Sequence, residues 1–199
     1  SVKSDGSFDD AGARRGAIEN TRDGWHSDLS YDPVPAKATL LHAIELPSRG
    51  GNTCFCNAAL AYAALDESFK AQLDGLTAQF TYGGNARNKS TAVAASALDQ
   101  LAQATAHAVH PVVSRHATTG LPAIYVNPLM TTRILGVSQA MSEAMLERMF
   151  NALEDLSVRF EHQWRLSDTL LWDNRGGLLH TGRLDYPRAE PRRFIRTTV

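Results

Sequence analysis

Trp25-His26-Ser27-Asp28-Leu29-Ser30-Tyr31 is the stretch of this chain on which the reading of the rest depends. It sets an imidazole and a carboxylate two positions apart. In a strand, side chains with that spacing point to the same side, so His26 and Asp28 are expected to reach one ion together. A lone His-x-Asp usually means two solvated polar residues, and its weight depends on what accompanies it. Far downstream stand a second imidazole, His180, and two guanidinium groups, Arg192 and Arg196. Two imidazoles and one carboxylate on one face of a metal, with the other positions open, suit non-haem Fe(II) sites that take an organic acid and O2.

Composition excludes other classes. The 199 residues are 43% hydrophobic, enough to bury one sizeable core, so a single domain over 1–199 is expected. Twenty basic against twenty-one acidic residues leave a formal charge of −1, which offers no global attraction to nucleic acid. No apolar run approaches the roughly 18 residues that a membrane span needs, and no signal-peptide pattern opens the sequence. A soluble, cytoplasmic protein with no membrane partner is expected. The cysteines, Cys54 and Cys56, have neither a Cys-x-x-Cys nor a zinc-knuckle spacing, and read as buried, reduced thiols.

Residues 38–46 read as a largely buried strand ended by Pro47 and the Gly50-Gly51 turn, and Thr53 to Phe55 resumes a strand. Asn57 fits an N-cap for a helix to about Ala64, with Leu60, Ala61, Ala64 and Leu65 along it. A further helical turn or two is expected from Ser68 to Leu73. His107 to His116 and Leu121 to Val126 read as two strands joined at Thr118-Thr119-Gly120. Ser138 caps the clearest helix, whose apolar face holds Met141, Met145, Leu146, Met149, Phe150 and Leu153, a core stripe rather than a cofactor box. Arg159 to Trp164 alternates as a strand, and a turn at Ser167-Asp168 leads into another from Thr169 to Trp172. Residues 81–106, with an Ala-rich helix candidate at 92–106, form a long connection of a kind that is commonly functional. Many short strands, few helices and motifs paired across the whole chain argue for a mainly β fold with flanking helices, a double-stranded β-helix or jelly roll. A central barrel would bring His26 and His180 to one mouth.

These motifs, in this order, resemble the taurine/2,4-dichlorophenoxyacetate dioxygenase family of Fe(II)- and 2-oxoglutarate-dependent enzymes. The block from Trp25 to Tyr31 is close to that family's Trp-His-Thr/Ser-Asp signature. A link from Pro33 to Lys37 follows, then the Gly50-Gly51-Asn52-Thr53 element. His110-Pro111-Val112-Val113, Tyr125-Val126-Asn127 and Thr131-Thr132-Arg133 fit the middle. Trp172-Asp173-Asn174-Arg175, Leu179-His180, Asp185-Tyr186 and the run from Arg192 to Thr198 fit the end. The similarity runs from about residue 24 onward. Residues 1–24 are polar and Gly-rich, so the chain is expected to lack part of the family's N-terminal region.

The resemblance implies a clavaminate synthase-like jelly roll, with Fe(II) held by His26, Asp28 and His180 and O2 as oxidant. It implies 2-oxoglutarate as cosubstrate, its distal carboxylate on Arg192 and Thr53; a guanidinium is suited to bidentate carboxylate binding. Strand alternation puts Arg192, Phe194 and Arg196 on one face and Arg193 and Ile195 on the other, so Arg193 is expected outward. Arg196 is implied as a substrate-anion anchor, with Leu29, Tyr31 and Met130 lining the substrate space. An unpaired guanidinium there would be costly to bury, which favours an anionic substrate. Residues 81–106 are implied as a lid over the site, and a homo-oligomer is compatible with the resemblance.

The implied activity is oxidation of a small organic anion (an aryloxy-carboxylate, sulfonate or sulfate ester) with release of succinate and CO2. Met130 falls where the taurine enzymes place an aromatic, and Thr181-Gly182-Arg183 departs from their Tyr-Ala-x, which puts taurine itself in doubt and looks nearer the phenoxyacid branch. Related halogenases replace the iron-binding carboxylate with a small residue, whereas Asp28 is present here. Two alternatives stay open: a same-scaffold biosynthetic hydroxylase or desaturase on an amino-acid-like or natural-product substrate, and a non-catalytic jelly-roll binding protein. His42, His107, His110, His116 and His162 read as ordinary core or surface groups.

Overall fold

The computed structural model describes residues 22–81 and 108–199. The lid expected over 81–106, apart from Thr81, and the helix expected at 92–106 lie outside the described residues. Within them the fold is mainly β with few helices. No described helix is long and apolar enough to cross a membrane.

Two three-stranded antiparallel sheets carry the site. In one, β1 (Ala38–Glu45) lies between β9 (Thr169–Asp173) and β11 (Arg193–Thr198). In the other, β2 (Thr53–Asn57) lies between β8 (Arg159–His162) and β10 (Leu178–Gly182). Inward side chains meet across the gap: Trp172 of β9 stands edge-on to Phe55 of β2 with ring centroids 5.5 Å apart. A third sheet orders β4 (Ala108–Pro111), β3 (Thr77–Phe80) and β7 (Thr131–Ile134), and β5 (Val113–Arg115) pairs with β6 (Pro122–Ile124). Because β1 has one face toward solvent, only Thr39 and Ala43 are buried in it; the expected largely buried strand is half-buried.

Three of the described helices cover the outside: α1 (Ala58–Ala63), α2 (Glu67–Leu73) and α3 (Gln139–Leu153). Each begins where a side-chain oxygen can take up free amide N–H groups. Asn57 accepts from the amides of Ala59 and Leu60, Asp66 from Phe69, and Ser138 from Met141. The buried stripe of α3 is Ser142, Met145, Leu146, Met149, Phe150 and Leu153, its apolar members joined to Phe69, Leu73 and Phe80 in one cluster. Met141, expected in that stripe, is 49% exposed. Its place is taken by Ser142, one position on in helical phase, whose hydroxyl accepts the Ile134 amide at 2.8 Å. Leu60 likewise faces out of α1, where Ala58 and Ala61 are the buried residues.

The run from His107 to His116, read as one strand, is two. Buried Val112 breaks it by donating its N–H to Leu76 and accepting from Tyr125, so β4 and β5 join different partners. Residues 26–28 are not a strand either. His26 forms an isolated bridge with His180, and the chain then turns, with the Ser30 amide on the Ser27 carbonyl and Leu29 in the left-handed region at φ 55°.

Leu153→Ala, at a position with no exposure, should cost about 2–5 kcal/mol in urea denaturation. Met141→Ala should stay within about 0.5 kcal/mol of the parent.

Candidate metal centre

The bridge between His26 and His180 is reciprocal: the His26 amide donates to the His180 carbonyl at 3.1 Å, and the His180 amide to the His26 carbonyl at 2.9 Å. Two residues opposed in this way project their side chains together, and the ring centroids lie 4.2 Å apart. The turn that follows brings Asp28 back between them. Its Oδ1 is 3.7 Å from His26 Nε2 and its Oδ2 is 3.7 Å from His180 Nε2. The ligand atoms of the three residues lie within 4.8 Å of one another, and all three are buried. The sequence expectation of convergence holds, through a bridge and a turn rather than through the pleat of a strand.

Protonation favours ligation. His26 Nδ1 lies 2.9 Å from the Gly24 carbonyl, an acceptor only, so Nδ1 carries the proton and Nε2 keeps its lone pair toward Asp28. Burial holds the His26 imidazole below 6.5, against the opposing pull of Asp28. Burial, reinforced by the His26 ring, lowers His180 to about 3. Burial pushes the Asp28 carboxyl upward, but His180, His26, Arg196 and the Thr39 hydroxyl together outweigh it, and it sits below its ordinary value. The result is a neutral imidazole pair facing a carboxylate, a donor set that suits a divalent first-row metal.

Arg192 donates through Nε to the Gly51 carbonyl at 2.7 Å, and its Nη2 reaches at 3.5 Å the Oγ1 of Thr53, which lies on β2, the strand that pairs with His180. Gly51 permits this approach. It sits at φ +71°, and a Cβ there would lie 3.1 Å from both Cδ and Nε of Arg192. Trp164 donates its indole N–H to Thr53 Oγ1 at 3.0 Å, and its ring meets Phe194, over which the Arg192 guanidinium is stacked at 4.4 Å. Arg193 turns outward to Glu45 at 3.2 Å, as the alternation of the strand requires.

Arg196 does reach the triad, but in a different state from that expected. It is neither buried nor unpaired: its side chain is 49% exposed and its Nη2 donates to Asp28 Oδ1 at 2.8 Å. Leu29 and Tyr31 belong to the turn after Asp28 and are partly buried, Tyr31 against the hydrophobic cluster. Met130 is buried beside them, its sulfur accepting the Ser30 hydroxyl at 3.1 Å. His42, His110, His116 and His162 make hydrogen bonds elsewhere, to Thr169, the Asp32 carbonyl, Asp173 and Asp168. His107 lies outside the described residues.

Sequence reasoning missed three residues. Trp164 had a signal only as the end of an alternating strand. Asn174 was visible as part of the Trp172-Asp173-Asn174-Arg175 block, without a role. Thr39 had none, being one polar residue in an apolar run, yet its hydroxyl donates to Asp28 Oδ2 at 2.6 Å.

The sequence profile described as "Taurine catabolism dioxygenase TauD, TfdA family" matches residues 3–198. The chain belongs to this family. Among TauD/TfdA relatives, it is 32% identical to the alpha-ketoglutarate-dependent dioxygenase cnsP of Penicillium expansum over 87% of this chain and 46% of that protein. It is 32% identical to the (S)-phenoxypropionate/alpha-ketoglutarate-dioxygenase of Delftia acidovorans over 84% of this chain and 55% of that one. The chain thus spans about half the length of the curated relatives it matches. The crystal structure of AAD-2 in complex with Mn(II) and N-oxalylglycine superposes with a TM-score of 0.75 at 26% identity, covering 93% of this chain and 72% of that one.

The lowered imidazoles give the TauD/TfdA site a pH signature. An unfolded histidine takes up a proton as pH falls through about 6.5, whereas folded His180 stays neutral down to about 3. Its stabilising contribution is therefore present above the unfolded value and lost on acidification, and the lowered Asp28 acts in the same direction at lower pH. Going from about pH 7 to about pH 5 should cost the metal-free protein on the order of 2 kcal/mol through His180 alone. A thermal-denaturation series should show this loss, and His180→Asn should reduce it, leaving the part that comes from His26 and Asp28.

Proposed function

We propose that this chain is an Fe(II)- and 2-oxoglutarate-dependent dioxygenase that oxidises a small organic anion, releasing succinate and CO2. The observation that carries this reading is the buried His26–Asp28–His180 cluster, with Thr53 on the strand that pairs with His180 and Arg192 reaching Thr53. The two facing three-stranded sheets support a jelly-roll assignment and the shared hydrophobic cluster a single domain.

Fe(II) with 2-oxoglutarate bound would supply the activation of O2 that no side chain can. His26, Asp28 and His180 would hold the metal, two neutral nitrogens and one anionic oxygen leaving further positions free. Arg192 and Thr53 would hold the distal carboxylate of 2-oxoglutarate. The orientation of Thr53 suits that role. Its oxygen faces donors from Trp164 at 3.0 Å and Arg192 at 3.5 Å, which leaves its own O–H to donate to a ligand. Arg192, fixed through Nε by Gly51, keeps further N–H groups for a two-point grip. N-oxalylglycine has the same chemical pattern, a 2-oxo acid at one end and a carboxylate at the other, and its presence in AAD-2 supports this assignment.

Arg196 would anchor the substrate anion, with Leu29, Tyr31 and Met130 around the rest of the molecule. The support is now different from a desolvation argument, because the guanidinium is half exposed and occupied by Asp28. A half-exposed guanidinium can exchange one carboxylate for another at small cost. The name of the Delftia acidovorans relative makes an aryloxy-carboxylate the first substrate class to try.

The test is succinate release with Fe(II), 2-oxoglutarate and a panel of phenoxypropionates, phenoxyacetates, sulfonates, sulfate esters and amino acids. Release no greater than that of Asp28→Ala across the panel would reject the catalytic reading and favour a binding protein. Arg192→Ala should weaken 2-oxoglutarate binding by ~2–5 kcal/mol, while Arg193→Ala should change little; the opposite ranking would shift the register by one residue. Arg196→Ala should raise the KM for an anionic substrate and leave 2-oxoglutarate affinity nearly unchanged. Efficient turnover of a neutral substrate independent of Arg196 would remove the anchor and point to a biosynthetic role.

A further inference from the structure

Behind the triad lies a buried polar pair, Thr39 and Asn174. Thr39 has no exposure and Asn174 only 1%. Two polar side chains in such a place cost stability unless they are hydrogen-bonded. Each side-chain polar atom of this pair has a partner. Thr39 donates its hydroxyl to Asp28 Oδ2 at 2.6 Å and accepts from Asn174 Nδ2 at 2.8 Å. Asn174 Oδ1 accepts the Asp28 backbone amide at 3.3 Å, which closes a ring on the residue that Thr39 holds by its side chain. The Asn174 carbonyl takes the Ser27 hydroxyl at 2.8 Å, and its own amide donates to the Lys37 carbonyl at 2.9 Å.

We propose that Thr39 and Asn174 are positioning residues for the metal centre, setting the Asp28 carboxylate so that Oδ1 is its ligating oxygen. The proposal rests on the reading of His26, Asp28 and His180 as a metal site. The terminal torsion of an aspartate is broad and two-fold, so a free carboxylate offers its oxygens interchangeably. Here the two oxygens have unequal partners. Oδ2 is held by a hydroxyl that cannot move, since Thr39 is buried in β1 and secured by Asn174. Oδ1 is held by Arg196, whose side chain is 49% exposed and whose other hydrogen bond, to the Thr198 hydroxyl, is long at 3.3 Å. Asp28 would therefore offer Oδ1 to a metal held between the imidazoles by giving up Arg196, the mobile partner, and keeping Thr39, the fixed one. Asn174 acts through Thr39 and through the Asp28 backbone, and touches no donor atom of the triad.

Titration of the metal-free protein with Mn(II) alone, and independently with Co(II) followed by its visible absorption, reads the metal affinity without turnover. Thr39→Val, which keeps the volume and removes the hydroxyl, should weaken binding by about 10–100-fold. Asn174→Leu should weaken it as well. Thr39→Ser, which keeps the hydroxyl and removes the methyl, should bind close to the parent. A role in packing alone predicts the reverse order of Val and Ser, and that order would overturn the proposal. So would parental affinity in Thr39→Val alongside lost binding in Asp28→Ala, an outcome that leaves the metal reading standing. Parental affinity in Asp28→Ala, or no binding by the parent, would remove the metal reading and this proposal with it. If Thr39→Val does not fold, Thr39→Ala and Asn174→Ala read the same affinity, and the same rankings against Thr39→Ser decide.

Discussion

The reciprocal pair of backbone hydrogen bonds between His26 and His180 is the contact on which the site depends. It is an isolated bridge, so no ladder on either side enforces it. Its register is held from outside instead. On one side His180 lies in β10, opposite Phe55 of β2. On the other, the short turn Arg22–Gly24 and Trp25 are tied to the C-terminal half of α3 and just beyond it. Arg22 pairs with Glu147 at 2.8 Å, and the Trp25 indole donates to Glu154 at 2.6 Å. Arg159 adds an ion pair to Glu154 and lies over the Trp25 ring. A helix that contributes no ligand thus fixes where the first ligand stands.

Charge inside the site is balanced locally. A buried carboxylate with no partner would be neutralised by its surroundings. Asp28 remains anionic because two imidazoles, one guanidinium and one hydroxyl face it. The same burial keeps the imidazoles neutral, so neither can serve as a full counter-ion. Arg196 therefore has a role in the site before any substrate is considered: it supplies the full positive charge that faces Asp28.

Much of this was legible in the sequence. The Asn57 and Ser138 caps, most of the α3 stripe and the alternation from Arg192 to Arg196 follow from local rules, and the structure agrees with them. The choice of Arg192 over Arg193 as the inward residue is the clearest case, since one-residue register decides it and Glu45 is the outward partner. What was not legible depends on residues distant in sequence. Ser142 replaces Met141 in the stripe because of the Ile134 amide, and Val112 divides a strand because Leu76 and Tyr125 take its backbone. Thr39 looks like any strand threonine until β9 brings Asn174 beside it. Period and propensity carry no information about such partners.

Arg192, immediately before β11, and Arg196, within it, are two different kinds of cation. Arg192 is wedged: its Nε is fixed by the Gly51 carbonyl, its guanidinium is stacked on Phe194, and burial lowers its pKa. Gly51 has no Cβ to push it away, so little conformational freedom is left to lose when a ligand arrives. Arg196, four positions on, is half exposed, with one ionic contact to Asp28 and a longer hydrogen bond to the Thr198 hydroxyl. Under the proposed function these states match their ligands. A cosubstrate that is the same in every turnover is best met by a fixed guanidinium, whose donors need no reorganisation. A substrate that must enter and leave beside a metal ligand is better met by one that can release its carboxylate. Asp28 is the point where the two demands meet, because the arginine that would hold the substrate is also the one that pairs with the carboxylate that would hold the metal.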